Sequence, residues 1–385
     1  MREVFHNASA SASSVEAAGF PEMPTREPLA FHQRLPGYRP SPLVDAPGLA
    51  EILGVAQVSI KDESSRFGLP AFKVLGACWA VYRALQQIVV ERLGVQPSDD
   101  WTDIAELRAV LAPLRPMTLT AVTAGNHGRA VARVARWLDF DARILVPAGT
   151  APARIAAIEE EGASVVVVDG TYDDAVERLA GEADERTLLI SDTAWPGYEQ
   201  IPRWVIEGYS TIFWEIDDVM EGWPDLVIVP VGVGALAAAA VRHYRRLGGE
   251  RTPVLVGVES LHAACVLESL RAGGIVTVPG PHDSIMAGLN AGTPSLVAWP
   301  YLSQGLDAVV AIEDDRAREG MRALARVGVV AGETGAAALG ALIELIKGGE
   351  GFPIDPGARV LLLSTEGVTD REAYELIVGE PPVGS

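Results

Sequence analysis

The chain has 385 residues, 49% of them hydrophobic, enough material for two packed domains. Its formal net charge of −20 argues against nucleic acid or an anionic membrane surface as partner, since both repel an acidic protein, and favours a small molecule. Only Cys78 and Cys265 occur, far apart, so neither a disulfide framework nor a cysteine-built metal site is expected, and the compartment read from them is the reducing cytoplasm.

Residues 1–30 read as a loose tail, because residues 8–14 are alanine and serine alone and carry too little apolar mass to pack. No basic start leads into an apolar run, and no uncharged apolar stretch of about 18 residues occurs, so neither a leader nor a membrane span is expected. From Val58 onward, short β-rich runs alternate with longer segments of helical period, the pattern of an α/β protein with largely parallel sheets. The strands predicted are 58–61, 118–122, 143–146, 164–168, 188–191, 226–230, 254–258, 309–312 and 360–363. Helices are predicted at 71–90, 129–138, 235–247 and 335–346. So many strands suit two sheets better than one. Residues 91–116, with Gly94, Pro97, Pro113 and Asp99-Asp100, read as an insertion carrying one helix of its own. There is no internal repeat.

Lysine occurs only at 61, 73 and 347. Lys347 precedes Gly348-Gly349, where a cation complements a helix C-terminus. Lys61 opens Lys61-Asp62-Glu63-Ser64, which reads as polar surface or interface. Lys73 stands in the apolar run from Leu69 to Gly76, at a helix start after a proline. Desolvation there disfavours the ammonium and lowers its pKa, which makes an amine nucleophile toward an aldehyde; the alternative is a snorkelling helix residue.

Thr123-Ala124-Gly125-Asn126-His127-Gly128 lies between a strand and a helix, where free N–H groups can bind a carboxylate and the glycines admit a flat ligand. A plain turn with an Asn cap is the competing interpretation. Val231-Gly232-Val233-Gly234-Ala235-Leu236-Ala237 can cradle a phosphate at a helix N-terminus. It also matches Gly-x-Gly-x-x-Ala, with Glu259 placed as a ribose-binding acid, so a nicotinamide dehydrogenase competes. That alternative leaves Lys73 and the Asn126 loop without work. Ser364-Thr365-Glu366-Gly367 follows an apolar strand, so its hydroxyls face the edge where doubly wound sheets collect ligands. The six histidines show no His-x-x-x-His pair, and neither Gly-x-Ser-x-Gly nor Gly-x-x-x-x-Gly-Lys occurs, so no metal, hydrolase or nucleotide-phosphate site is expected.

In this order the four features resemble the fold type II, tryptophan synthase β-like, pyridoxal-phosphate enzymes. Within them the chain is similar to the diaminopropionate ammonia-lyases, from about Pro36 to the C-terminus. The matching stretches are Lys61-Asp62-Glu63-Ser64-Ser65-Arg66-Phe67-Gly68, Ala71-Phe72-Lys73, Gly125-Asn126-His127-Gly128-Arg129, Asp192-Thr193-Ala194-Trp195, Ile285-Met286-Ala287-Gly288-Leu289 and Ser364-Thr365-Glu366-Gly367. The resemblance implies two doubly wound domains with mostly parallel sheets, the smaller (76–205) inserted in the larger (1–75 with 206–385).

It also implies an enzyme using pyridoxal 5'-phosphate for α,β-elimination on a small, diaminopropionate-like amino acid, giving a keto acid and ammonia. Lys73 would bind the cofactor covalently beside Phe72, and Asn126 would bond its ring oxygen. Gly232, Val233, Gly234, Ala235 and Leu236 would take its phosphate, and Ser364 or Thr365 its ring nitrogen. A hydroxyl there leaves the nitrogen neutral, which favours elimination over transamination. Asp192 would be an acid beside the substrate, with Thr123, Ala124, Gly125 and His127 around it. A homodimer is implied as well. The family's usual aspartate before Gly-Asn-His is Ala124 here, which points to an L-configured substrate. A serine/threonine-type dehydratase, a β-eliminase with another leaving group and a non-catalytic amino-acid sensor remain alternatives.

Overall fold

The computed structural model describes residues 3–10, 23–123, 125–169, 179, 185–246, 252–348 and 352–382. Its frame is two sheets. The larger uses β1 (Glu3–His6), β2 (Leu43–Asp45), β3 (Gln57–Asp62), β8 (Leu226–Pro230), β9 (Val254–Ser260), β10 (Ala308–Ile312) and β11 (Arg359–Ser364). They lie in the order β1-β10-β9-β8-β11-β3-β2, parallel except for the two edge strands. β8 and β10 are buried at every residue, because parallel strands covered on both faces need apolar side chains on both. The smaller sheet, β6-β5-β4-β7, is wholly parallel and uses β4 (Thr118–Val122), β5 (Asp141–Pro147), β6 (Ser164–Val168) and β7 (Thr187–Leu189).

Each sheet reverses its winding once. From β4 the chain builds β5 and β6 on one side and β7 on the other; from β8 it builds β9 and β10 on one side and β11 on the other. Such switch points open a crevice at the carboxyl ends of the strands. The segments leaving β4, β7, β8 and β11 therefore hold the positions suited to a ligand.

Helices α1 (Lys73–Leu93) and α2 (Gln200–Val219) pack backbone against backbone. A Cβ on Gly208 would lie 2.5 Å from the Leu75 carbonyl oxygen, so glycine permits the approach. These two helices run across the sequence-expected domain limits at 75 and 205. The insertion carries the helix Ile104–Leu111, begun by Asp103, whose carboxylate accepts from the N–H groups of Ala105 and Glu106.

Three expectations need correction. Residues 3–6 are not part of a loose tail: β1 pairs antiparallel with β10, and the Asn7 amide donates to the carbonyls of Ser303 and Leu306 at 2.8 and 2.9 Å. Residues 27–30 likewise begin a helix, Glu27–Gln33. There are eleven strands among the described residues, not nine; β1 and β2 are edge strands of four and three residues, stabilised by a sheet already present rather than by a pattern of their own. Lys61, expected at a polar surface or interface, is 1% exposed. Its ammonium donates to the Ser41 carbonyl and to Glu215 on α2, and Arg66 bridges Glu215 to Glu63. A buried cation needs such partners, and Glu215 lies 154 residues along the chain. Among the described residues no helix is long and apolar enough to cross a membrane.

Candidate active site

Lys73 opens α1 and Phe72 caps it. The preceding segment is tied to the end of β11: the Gly367 N–H donates to the Pro70 carbonyl at 2.8 Å, and Ala71 bridges Glu366. This fixes the segment that leads into Lys73 beside Glu366 and Gly367, nearly three hundred residues away in sequence. Lys73 Nζ donates to Asp192 Oδ2 at 2.7 Å, the side chains being 23% and 18% exposed. Asp192 follows β7, and the segment from Asn126 follows β4, so both sit at the switch point of the smaller sheet.

The ion pair sets the local charge. Burial pulls the Lys73 pKa down, but the Asp192 charge and hydrogen bond, with Glu366, outweigh it and hold the ammonium above the usual lysine range. The expectation of a lowered Lys73 pKa is thus corrected; the sequence shows the apolar flank and not the facing carboxylate. Burial pushes Asp192 up, but Lys73 and then His127 overcome it and hold the carboxylate below its usual range. Burial lowers the His127 pKa, with Lys73 acting in the same sense against Asp192. His127 Nε2 meets the Ile190 carbonyl at 3.0 Å, and Nδ1 has no partner among the described residues.

Asn126 heads the helix Asn126–Leu138. Its side-chain amide donates to Glu366 Oε2 at 2.7 Å, and Glu366 Oε1 accepts from the Thr334 N–H at 3.3 Å. Burial raises the Glu366 pKa, and Glu333 nearby adds to it. Thr123 Oγ1 accepts from the Gly125 N–H at 3.2 Å, which shapes the turn into that helix. Ala124 lies outside the described residues.

The Gly232–Leu236 segment joins β8 to the helix Ala235–Arg245. Gly234 adopts φ +97° with Leu302 Cδ1 2.4 Å from where a Cβ would stand, and a Cβ on Gly232 would lie 2.8 Å from the Gly288 carbonyl oxygen. Ser295 couples this cradle to the Asp192 segment: its N–H donates to the Val233 carbonyl at 2.9 Å and its Oγ accepts from the Ala194 N–H at 2.9 Å. The Ile285–Leu289 and Asp192–Trp195 stretches therefore meet the phosphate-type loop in space.

Residues 34–366 match the family described as pyridoxal-phosphate dependent enzyme. The chain is 34% identical over 374 residues to a diaminopropionate ammonia-lyase of Salmonella typhimurium, covering 91% of each protein. The holo crystal structure of diaminopropionate ammonia-lyase from Escherichia coli superposes with a TM-score of 0.85 at 31% identity, covering 100% of this chain and 99% of that one. The same Escherichia coli enzyme in complex with an aminoacrylate-PLP azomethine reaction intermediate superposes with a TM-score of 0.81, covering 98% and 97%. The chain belongs to the pyridoxal-phosphate-dependent enzymes.

The residues present fit that family's cofactor. Ser364 Oγ and Thr365 Oγ1 are buried and, among the described residues, without a hydrogen-bond partner. Buried hydroxyls are rarely left so, and a ring nitrogen is a group that would satisfy one. The glycine cradle leaves backbone N–H groups bare at a helix N-terminus for a phosphate, and Lys73 supplies the amine for an aldehyde. The dehydrogenase alternative fails at Glu259. Its two carboxylate oxygens accept from the Val266 and Leu267 N–H groups at 2.8 Å each, and the residue is wholly buried, so it caps the helix Cys265–Ala272 and has nothing left for a ribose. Glu366, Thr334 and Tyr209 were not singled out from sequence. Glu366 stood within a matched motif without a role, and Thr334 and Tyr209 gave no signal beyond ordinary helix and loop composition.

Proposed function

We propose that this pyridoxal-phosphate enzyme is an ammonia-lyase that eliminates across the α- and β-carbons of a small, diaminopropionate-like amino acid, leaving a keto acid and ammonia. The observation that supports it most is the Lys73–Asp192 pair at 2.7 Å, with Asp192 following β7 at the switch point of the smaller sheet. Bound pyridoxal phosphate supplies an electron sink for the charge left when the substrate's Cα–H bond breaks.

The chain's residues do the rest. Gly232, Val233, Gly234, Ala235 and Leu236 seat the phosphate with backbone N–H groups. Asn126 offers its second amide hydrogen to the ring oxygen, the first being held by Glu366. Ser364 or Thr365 faces the ring nitrogen and leaves it neutral. Phe72 flanks the lysine. Lys73, when free, takes the α-proton at Nζ, with Asp192 as the counter-charge that orients it. Thr123, Gly125 and His127 border the substrate, whose carboxylate would face the N-terminus of the helix Asn126–Leu138.

In sequence, alanine stands at position 124 where the resemblance has an aspartate, and an L-configured substrate follows from losing that acid. In this reading the cofactor lies between residues 1–75 with 206–385 and residues 76–205, and the protein is a cytoplasmic homodimer. A screen for ammonia and keto-acid release from the L- and D-forms of diaminopropionate and serine tests it. Release from L-diaminopropionate is expected, and inactivity on all four with cofactor bound would reject the lyase.

A further inference from the structure

Tyr209 is wholly buried on α2, and its hydroxyl meets no partner at hydrogen-bond geometry among the described residues. Leaving a phenol so costs desolvation with nothing gained in return, and such a group calls for an explanation. Its position offers one. The ring packs on Phe72 with centroids 4.7 Å apart at 61°. A Cβ on Gly76 would lie 2.5 Å from its Cε1 and 2.8 Å from its Cζ, so the hydroxyl-bearing end is the end pressed against α1. Gly76 is three residues beyond Lys73, one helical turn away on the same face. The close packing permitted by Gly76 and Gly208 thus brings a phenol to the base of the Lys73 side chain, and the Lys73 ammonium is a cation that acts on it.

The chemistry of the two neighbours differs. An ionised carboxylate such as Asp192 only accepts hydrogen bonds, so it holds Nζ as an ammonium. A phenol accepts from an ammonium and donates to an amine, so it can hold Nζ in either state. Burial keeps Tyr209 above the usual tyrosine range, so it stays a phenol at neutral pH.

We propose that Tyr209 is a positioning residue for Lys73, holding Nζ when the detached lysine is in its free-amine form. The proposal rests on Lys73 being the cofactor lysine. Asp192 then stabilises the charged lysine and Tyr209 the uncharged one.

The test is Tyr209→Phe in the full chain, which keeps the ring against Phe72 and Gly76 and removes one oxygen. The melting temperature of the cofactor-free protein is expected to hold or rise, because an unpaired buried hydroxyl is gone. Formation of the yellow chromophore after adding pyridoxal phosphate is expected to slow about 2- to 10-fold, the loss implied by one hydrogen bond between neutral groups. kcat should fall with it while KM stays within about twofold, the signature of an interaction absent from the substrate-bound ground state. Wild-type rates of chromophore formation and turnover would overturn the proposal. So would a lower melting temperature with rates reduced only in proportion to unfolded protein, which would make the residue structural. Lys73→Ala separates this failure from failure of the underlying reading: if that variant still forms the chromophore, the lysine assignment is wrong whatever Tyr209 does.

Discussion

Asp192→Asn isolates the charge that governs Lys73. The two groups stand 2.7 Å apart and are less than a quarter exposed, so water screens them only in part. At that distance two unit charges attract by about 6 kcal/mol at an effective dielectric of about 20. A facing opposite charge commonly moves a pKa by about one to three pH units, each worth about 1.4 kcal/mol. Asparagine keeps the hydrogen-bonding shape and removes the charge, which leaves burial as the larger influence and sends the Lys73 pKa down. Attack on an aldehyde needs the free amine. At a fixed pH below the pKa, cofactor capture should therefore quicken by about ten- to a thousandfold, and its pH profile should move down by about one to three units. The assay is stopped-flow absorbance on cofactor-free protein mixed with pyridoxal phosphate across a pH series. A profile that overlays the wild type, or moves to higher pH, refutes the electrostatic argument.

Glu215→Gln leaves Lys61 and Arg66 buried without their shared carboxylate, so stability should fall by about 3–5 kcal/mol, read as a lower urea midpoint; an unchanged midpoint would show that the cluster is not a bound set of charges. Ser364→Ala should leave the cofactor-free protein as stable or more so, since its hydroxyl is unpaired, and Thr365→Val likewise; one of the two should weaken cofactor retention on dialysis about tenfold, the worth of one hydrogen bond. Retention at the wild-type level in both variants would mean that neither meets the ring nitrogen. Ala124→Asp should raise turnover of D-diaminopropionate, and no gain would show that this position does not set the stereochemical preference.

The main alternation of strands and helices was legible because its physics is local. The predicted strands 118–122, 164–168 and 226–230 coincide with β4, β6 and β8, each a short apolar run closed by turn residues. β1 and β2 were not legible, because an edge strand of three or four residues exists only by pairing with its neighbour. Lys73, Asn126, the Gly232–Leu236 loop and Ser364-Thr365 stood out because each follows or opens a regular element, where ligands are met. What those residues face was hidden. Asp192 opposite Lys73, Glu366 beneath Asn126 and Glu215 beside Lys61 are contacts across 119, 240 and 154 residues, invisible to periodicity or spacing. The same blindness made the Lys73 pKa read low from its apolar flank and left Lys61 at a polar surface or interface. Glu259 shows the converse: a motif position was filled, but the backbone had already claimed its carboxylate.

Borohydride reduction of the pyridoxal-phosphate-loaded protein, followed by peptide mapping, tests the central claim most directly. With three lysines in the chain, the outcome is unambiguous. The account predicts one pyridoxyl label, on Lys73, with loss of the yellow colour. A label on Lys61 or Lys347, or a colourless protein that takes none, would contradict it.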